Sequence, residues 1–482
     1  MFYHSTRSSG GAVDSARAVL EGLAPDGGLY MPQQIPHFDW RSCLTGDSQA
    51  MAAQILSALL PDVPDMQTLV SRAYTGKFQT EDLTPTVDVG GFTVLELFRG
   101  PTSAFKDVAL SMLPQLLTTA KDVCGKKEDI MILTATSGDT GKAALAGFQD
   151  VPGVRICVFY PDGGVSAVQR AQMVTQEGGN VTVCAVRGNF DDAQTGVKNI
   201  FAACQGKEMK YSLSSANSIN IGRLAPQVMY YFKAYRDLLD RGRIRLGDEV
   251  NFSVPTGNFG DILAGYLAKL LGLPVGMLVC ASNANNVLTD FITTGTYDKR
   301  RPLHKTMSPS MDILVSSNLE RLLYLMSGCD TELVAGLMKD LNIQGFYTVP
   351  EEMLAAIKKE FWAGCCGDRD AQAVIGRVWQ ENHYLCDPHT ATGWAVAEAY
   401  VQKTGDTRPM VVLSTASPYK FPAAVLEAIG GSLEGDEFAQ MERLEELTAV
   451  PVPKNLSGLK GKTERHTGVI DKTEMLNFVL GL

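Results

Sequence analysis

The strongest candidate for covalent chemistry is a lysine set among small and apolar residues, in Thr102-Ser103-Ala104-Phe105-Lys106-Asp107. Sparse charge and poor hydration penalise an ammonium ion, which lowers the amine's pKa and makes it nucleophilic near neutral pH. The plainer alternative is a surface ion pair with Asp107. Three other stretches carry chemistry of a different kind. In Leu133-Thr134-Ala135-Thr136-Ser137-Gly138-Asp139-Thr140-Gly141-Lys142 an apolar run ends in small polar residues and a helical pattern begins. Backbone N–H groups at a helix start, beside the Ser137 and Thr140 hydroxyls, make an anion site, although a simple N-cap by Ser137 or Asp139 would use the same residue types.

In Val254-Pro255-Thr256-Gly257-Asn258-Phe259-Gly260-Asp261 two glycines permit close backbone approach to a phosphate. The stretch has neither GxGxxG nor GxxxxGK[ST], so the dinucleotide and nucleoside-triphosphate fingerprints do not apply. The last stretch, Leu413-Ser414-Thr415-Ala416-Ser417-Pro418-Tyr419-Lys420-Phe421, ends an apolar run in hydroxyl groups able to hydrogen-bond a ligand or to form a plain ST-turn. Cys365, Cys366, His383, Cys386 and His389 are all zinc-ligand types, but no two have the spacing of a structural site, so packing thiols and no metal are expected. Ser103-Ala104-Phe105-Lys106, Ser215-Ala216-Asn217 and Lys403-Thr404-Gly405 also mimic the SxxK, SxN and KTG set of penicillin-recognising serine enzymes. The KTG copy is expected in a loop before a strand, where it cannot line a site as a strand does.

These loops need a frame. Ile130–Thr134, Arg155–Tyr160, Asn180–Val186, Val250–Val254, Val275–Cys280 and Met410–Leu413 are β-branched or apolar runs separated by helical patterns such as Lys142–Phe148 and Ile262–Leu271. That alternation predicts α/β architecture with parallel strands buried between helices, and ligands at the strands' carboxyl ends. The span from about 95 to 425 exceeds one sheet of ordinary size, so two α/β layers with a cleft between them are expected. Residues 1–95 read as a mainly helical unit, with an amphipathic stretch from Ser48 to Leu60 and an obligatory turn around Pro25-Asp26-Gly27-Gly28. Residues 431–482 turn acidic and then basic, and read as a solvated tail.

Composition agrees with this picture. The 482 residues are 45% hydrophobic and 20% charged, enough for a core without staples. Subtracting 53 acidic from 43 basic side chains gives a net charge of -10, which argues against a nucleic-acid surface. No run approaches the roughly 18 apolar residues of a membrane span, and the start of the chain has no apolar export core. Ten cysteines scattered through apolar runs suit a reducing cytoplasmic compartment.

Taken in order, Gly100-Pro101-Thr102-Ser103-Ala104-Phe105-Lys106-Asp107, Thr136-Ser137-Gly138-Asp139-Thr140-Gly141, Ser215-Ala216-Asn217-Ser218-Ile219-Asn220, Pro255 to Asp261 and Asp387-Pro388-His389-Thr390-Ala391 resemble fold type II pyridoxal-phosphate enzymes. Within them the chain resembles the threonine synthase family, to which the segment Gly22 to Tyr30 is particular. The resemblance covers nearly the whole chain. It implies two doubly wound α/β domains with an added N-terminal domain over 1–95. The catalytic region would run from 96 to 430, its smaller domain about 106–215, with a C-terminal tail over 431–482. It further implies that Lys106 bears pyridoxal 5'-phosphate, that Gly257, Asn258, Phe259, Gly260 and Asp261 hold the cofactor phosphate, and that Thr415 meets the pyridine nitrogen. Ser137, Gly138, Asp139, Thr140, Asn217, Ser218 and Arg223 would bind the small-molecule substrate, O-phospho-L-homoserine, in a monomer or homodimer. Arg223 beside neutral donors suits a phosphate monoester. Two departures stand out: Arg7 is followed by Ser8-Ser9 where the family usually has Gly, and Ser417 takes the place of a usual His. Another fold type II lyase, or a threonine-synthase-like phospholyase, shares the same frame.

Overall fold

The computed structural model describes residues 1–482 apart from Ser137, Gln205, Gly206, Glu208, Met209 and the side chain of Asp191. The larger sheet has the strand order Phe361–Cys365, Val275–Ser282, Val250–Pro255, Met410–Ser414, Phe92–Glu96, Thr86–Val89. Every pairing in it is parallel except the last, where Thr86–Val89 runs antiparallel at the edge. The smaller sheet, in the order Val469–Asp471, Val181–Arg187, Val154–Pro161, Ile130–Ala135, Ser212–Ser214, is parallel throughout. Apolar runs form these strands because helices cover both faces: all six residues of Val250–Pro255 and all six of Ile130–Ala135 are buried.

The core follows the sheets. Val250, Phe252 and Val254 point into a cluster shared with Tyr3, Met31, Met51 and Ile55, so the N-terminal unit and the larger layer are one hydrophobic body. The opposite face packs Val279, Val412, Ile375 and Trp394. The smaller sheet has its own two faces, one around Ile132, Val158 and Phe148, the other around Leu133, Phe159 and Val186.

Three features differ from the sequence reading, each for a physical reason. Residues 1–95 carry, besides the expected helix Ser48–Leu59, an antiparallel sheet of Ser8–Asp14, Phe2–Ser5 and Tyr30–Pro32. Its strands are short and interrupted by glycine, so they show no clean alternation. The segment after 430 is no solvated appendage. In helix Glu437–Thr448 Glu442, Glu445 and Glu446 are exposed, while Met441 and Leu444 are buried and Glu437 accepts from Val168 N at 3.0 Å. Val469–Asp471 then pairs with Val181–Arg187 as an edge strand, and Met475 and Val479 of the final helix pack on Cys184, Val186 and Val197. Lys403-Thr404-Gly405 is the end of helix Pro388–Thr404 with Gly405 as its left-handed cap, not a loop, and it cannot serve as the strand a serine enzyme would need. No helix among the described residues is long and apolar enough to cross a membrane.

Candidate functional site

Parallel strands deliver their carboxyl ends to one edge, and both sheets turn that edge toward a shared cleft. Phe92–Glu96 leads into the loop 97–105 and so to Lys106, the first residue of helix Lys106–Val123. The loop is pinned from two sides. Phe105 N donates to Thr415 O at 2.8 Å and Ser417 N to Ser103 O at 3.1 Å, with Ala104 and Ala416 paired as an isolated antiparallel bridge. Lys106 and Thr415 are therefore brought together by backbone bonds. Asp107 is buried and accepts from Thr102 N at 2.8 Å and Thr102 Oγ1 at 2.5 Å, which fixes the turn before the helix. From the far end of the chain Asn455 Nδ2 donates to Pro101 O at 2.8 Å and to Ser103 Oγ at 2.9 Å. Ser103 is thus committed to bracing in a left-handed conformation of φ 60°.

Lys106 lies in the cleft with its amine 4.6 Å from the centre of the Phe105 ring. Loss of water lowers its pKa; Asp139 opposes the shift, Lys420 and Arg223 reinforce it, and Asp261 opposes it. The sequence expectation of a depressed lysine therefore has a geometric cause: two cations as well as two carboxylates face it.

The glycine-bearing loop follows the central strand. Phe259 takes a left-handed conformation, φ 62°, and Gly260 opens helix Gly260–Leu270. A Cβ on Gly257 would meet Ser310 O at 2.7 Å, so only glycine lets the loop lie against Ser310–Met311. A Cβ on Gly260 would instead make ordinary van der Waals contact with Asn318 Nδ2 at 3.6 Å and Gln227 Nε2 at 3.8 Å. A helix N-terminus bordered by two amide donors suits a phosphate dianion. The loop is held in shape by Ser316 Oγ donating to Gly257 O at 2.8 Å and by Asn318 N and Nδ2 donating to Asn258 O at 3.0 and 3.1 Å. Arg321, fully buried, donates to Asn318 Oδ1, to Ile219 O at 2.6 Å and to Tyr30 O at 3.2 Å, so it ties the cradle to the N-terminal sheet. Its neighbour Glu320 accepts from Arg7 at 2.7 and 2.8 Å, a pairing that the Ser8-Ser9 departure leaves intact. Asp261 is buried, and that burial pushes its carboxyl up to about 6.

The smaller layer contributes the opposite wall. Ser137 lies outside the described residues. Gly138 adopts φ 139°, where a Cβ would strike Gln169 at 2.4 Å, and its N–H is taken by Thr136 Oγ1 at 3.0 Å. Gly138→Ala is accordingly expected to cost about 3 kcal/mol from backbone strain and overpacking. A chemical denaturation midpoint equal to the parent's would show that the loop relaxes freely. Asp139, expected at the substrate, has its carboxylate engaged by Lys420 Nζ at 2.6 Å and Gln169 Nε2 at 3.0 Å. Burial alone would raise its pKa, but Lys420 and Lys106 more than offset this and hold it well below the usual carboxylate range. Thr140 stands half-buried in the first turn of helix Asp139–Phe148, where N–H groups lack intrahelical partners.

Asn217 and Ser218 occupy the half-buried turn after strand Ser212–Ser214. Asn217 and Ser215 also line a cavity of about 860 Å³ along the edge of the smaller sheet; Lys106 is outside it. The same turn supplies Ala216 O, which accepts from Arg223 Nη1. Arg223 is only 3% exposed, and among the described residues its Nε has no hydrogen-bond partner. Desolvation, with no carboxylate to offset it, pulls its pKa down to about 10. A buried cation left in this condition costs stability unless a ligand anion completes it.

Sequence reasoning overlooked Lys420, Gln169, Asn318, Gln227 and Arg321. Lys420 alone had a legible signal, a cation in the apolar run after a strand end; it is reached through a turn capped by Ser417, whose Oγ accepts from Tyr419 N. Among the described residues no three His, Cys, Asp or Glu side chains are grouped to hold a metal. His389 Nε2 instead accepts from Ser310 N at 3.2 Å and Nδ1 donates to Asp387 Oδ2 at 2.6 Å, an internal bracket for the segment under the glycine loop.

Three family profiles match the chain: "Threonine synthase N terminus" over residues 2–74, "Pyridoxal-phosphate dependent enzyme" over 77–416 and "Threonine synthase, C-terminal" over 390–478. The threonine synthase of Pseudomonas aeruginosa is 40% identical, with 89% of this chain and 90% of that protein covered. Human threonine synthase-like 1 is 39% identical over 86% of this chain, which spans 58% of that relative's length. Among solved structures, pyridoxal-phosphate-bound threonine synthase from Brucella melitensis superposes with a TM-score of 0.88 at 39% identity, covering 100% of this chain and 99% of that one.

Proposed function

The chain belongs to the threonine synthase family of pyridoxal-phosphate-dependent enzymes, and we propose that it converts O-phospho-L-homoserine and water to L-threonine and inorganic phosphate. The observation that carries this reading is Arg223: a buried, incompletely bonded guanidinium close enough to Lys106 to act on its charge. The cradle at Gly257–Asp261 already suits one phosphate, that of the cofactor. A second anion receptor in the same cleft is what a phosphorylated substrate requires, and a dehydratase has no use for it.

The residues present fit pyridoxal phosphate. The helix start at Gly260, bordered by the Asn318 and Gln227 amides, would hold its phosphate, Lys106 would bear it, and Thr415 would meet its ring nitrogen through a neutral hydroxyl. When bound, the cofactor supplies an electron sink for negative charge developing on the substrate carbons. Lys106, released as a free amine, takes the α proton and then the β proton of the substrate, a role that its lowered pKa favours. The helix start at Thr140 receives the substrate carboxylate, supported by the N-terminal dipole. Arg223 with Asn217 and Ser218 binds the phosphate and neutralises the charge it gains on leaving the γ carbon. Lys106 returns one proton to the γ carbon, which becomes the methyl group; water then adds at the β carbon, and the second proton returns to the α carbon. The cleft between the two sheets limits access of bulk water to the unsaturated carbons.

The unpaired cysteines, most of them buried, support a cytoplasmic setting, and the chain acts there as a monomer or homodimer. A phospholyase reading is favoured by one observation, that threonine synthase-like 1 is as similar as the named synthases. Product analysis separates the two. Purified protein given O-phospho-L-homoserine is expected to form threonine and phosphate in equal amounts; 2-oxobutyrate and ammonia in place of threonine would establish the lyase.

A further inference from the structure

Beneath Lys106 the two layers are joined by an ion pair sealed from solvent. Lys420 Nζ lies 2.6 Å from Asp139 Oδ1, with the two side chains 0% and 3% exposed. Lys420 comes from the turn after larger-sheet strand Met410–Ser414, and Asp139 from the helix after smaller-sheet strand Ile130–Ala135. The pair is held on both sides: Lys420 Nζ also donates to Thr102 O at 3.2 Å, and Gln169 Nε2 to Asp139 Oδ1 at 3.0 Å. Thr102 is itself bonded to Asp107, next to Lys106.

We propose that Lys420 is a positioning residue, which keeps Asp139 occupied in this ion pair and so leaves the Lys106 amine free to act as nucleophile and base. The inference rests on the reading of Lys106 as the cofactor-bearing lysine. Without Lys420, Asp139 would be a buried carboxylate still facing the cation Lys106, and the two would pair. Lys106 would then stay protonated. With Lys420 in place, Asp139 is neutralised and a second positive charge faces Lys106, the arrangement that activates a lysine by a cationic neighbour. The other charged groups facing Lys106, Arg223 from helix Ile221–Leu224 and Asp261 from helix Gly260–Leu270, remain in every variant considered.

Capture of the cofactor tests this without recourse to turnover. The neutral Lys106 amine attacks the aldehyde carbon, a C=N bond replaces C=O and one water leaves, so the capture rate follows the fraction of free amine. Full-length protein stripped with hydroxylamine is mixed with pyridoxal phosphate across a pH series, and capture is followed by absorbance and by borohydride fixation mapped on peptides. For Lys420→Met the midpoint is expected to rise by about one pH unit, slowing capture roughly tenfold at neutral pH. Lys420→Arg should remain near the parent.

Breaking a buried pair destabilises, so Lys420→Met is compared with a neutral pair. Asp139→Asn alone should lower the midpoint, and Asp139→Asn/Lys420→Met should return it toward the parent. A purely structural Lys420 would change the melting temperature and leave the Lys420→Met midpoint equal to the parent's, which would overturn the proposal. Fixation of cofactor on a lysine other than Lys106 in the parent would instead refute the Lys106 reading.

Discussion

Replacing Lys106 with alanine is expected to abolish borohydride-fixable cofactor and to reduce turnover by on the order of 10⁴, the upper range for a lost acid–base group that also binds covalently. The fold should survive. Lys106 is half-buried at a helix start, alanine is a good helix former, and the turn before it is fixed by Asp107, Thr102, Thr415 and Asn455 without any contribution from the amine. Removing an amine that is poorly hydrated and flanked by Lys420 and Arg223 also relieves repulsion. Activity and stability are thus expected to separate: the melting temperature stays near the parent's while turnover disappears. A variant with more than about a hundredth of parental turnover would remove Lys106 from the chemistry.

Arg223→Leu should show the second-largest loss. A charge-assisted contact to a phosphate in a buried site is worth about 2–5 kcal/mol, so kcat/KM for O-phospho-L-homoserine is expected to fall by on the order of 10²–10³. The direction of the stability change discriminates between a receptor and a structural arginine. In the absence of ligand the parent carries a guanidinium with, among the described residues, an unpaired Nε and no carboxylate partner, so the leucine variant should melt at or above the parental temperature. Inorganic phosphate should raise the melting temperature of the parent and leave that of the variant unchanged. A large drop in melting temperature with unaltered kcat/KM would assign Arg223 to the scaffold.

How far the sequence reveals the molecule depends on how local the signal is. Val250–Pro255 and Ile130–Ala135 are buried along their whole length, and their apolar runs are visible without any partner. Phe361–Cys365 contains Gly364 and lies at an edge, while Ser212–Ser214 and Val469–Asp471 have three residues each. Strands so short and one-sided gain their stability from pairing, which composition does not record. The final segment misleads because charge is counted over all residues, whereas Met441, Leu444, Met475 and Val479 bury only one face of their helices.

The site divides in the same way. Lys106, the Gly257–Asp261 loop and Thr415 belong to compact local motifs; backbone bonds join the Lys106 and Thr415 loops, and the pairing of Val250–Pro255 with Met410–Ser414 brings the glycine loop beside them. Asp139 was legible as a residue, but its partner was not, because Lys420 lies on another sheet and far along the chain. Asn318 and Arg321 have no motif at all, and their importance comes from the carbonyls of Asn258, Ile219 and Tyr30 that three separate segments bring to them.

The most direct test of the proposed reaction is to run it in ¹⁸O-labelled water and weigh both products. Elimination of phosphate from the γ carbon followed by addition of water at the β carbon places the label in the hydroxyl group of threonine and leaves the released phosphate unlabelled. Labelled phosphate with homoserine as the other product, or unlabelled phosphate with 2-oxobutyrate in place of threonine, would contradict it.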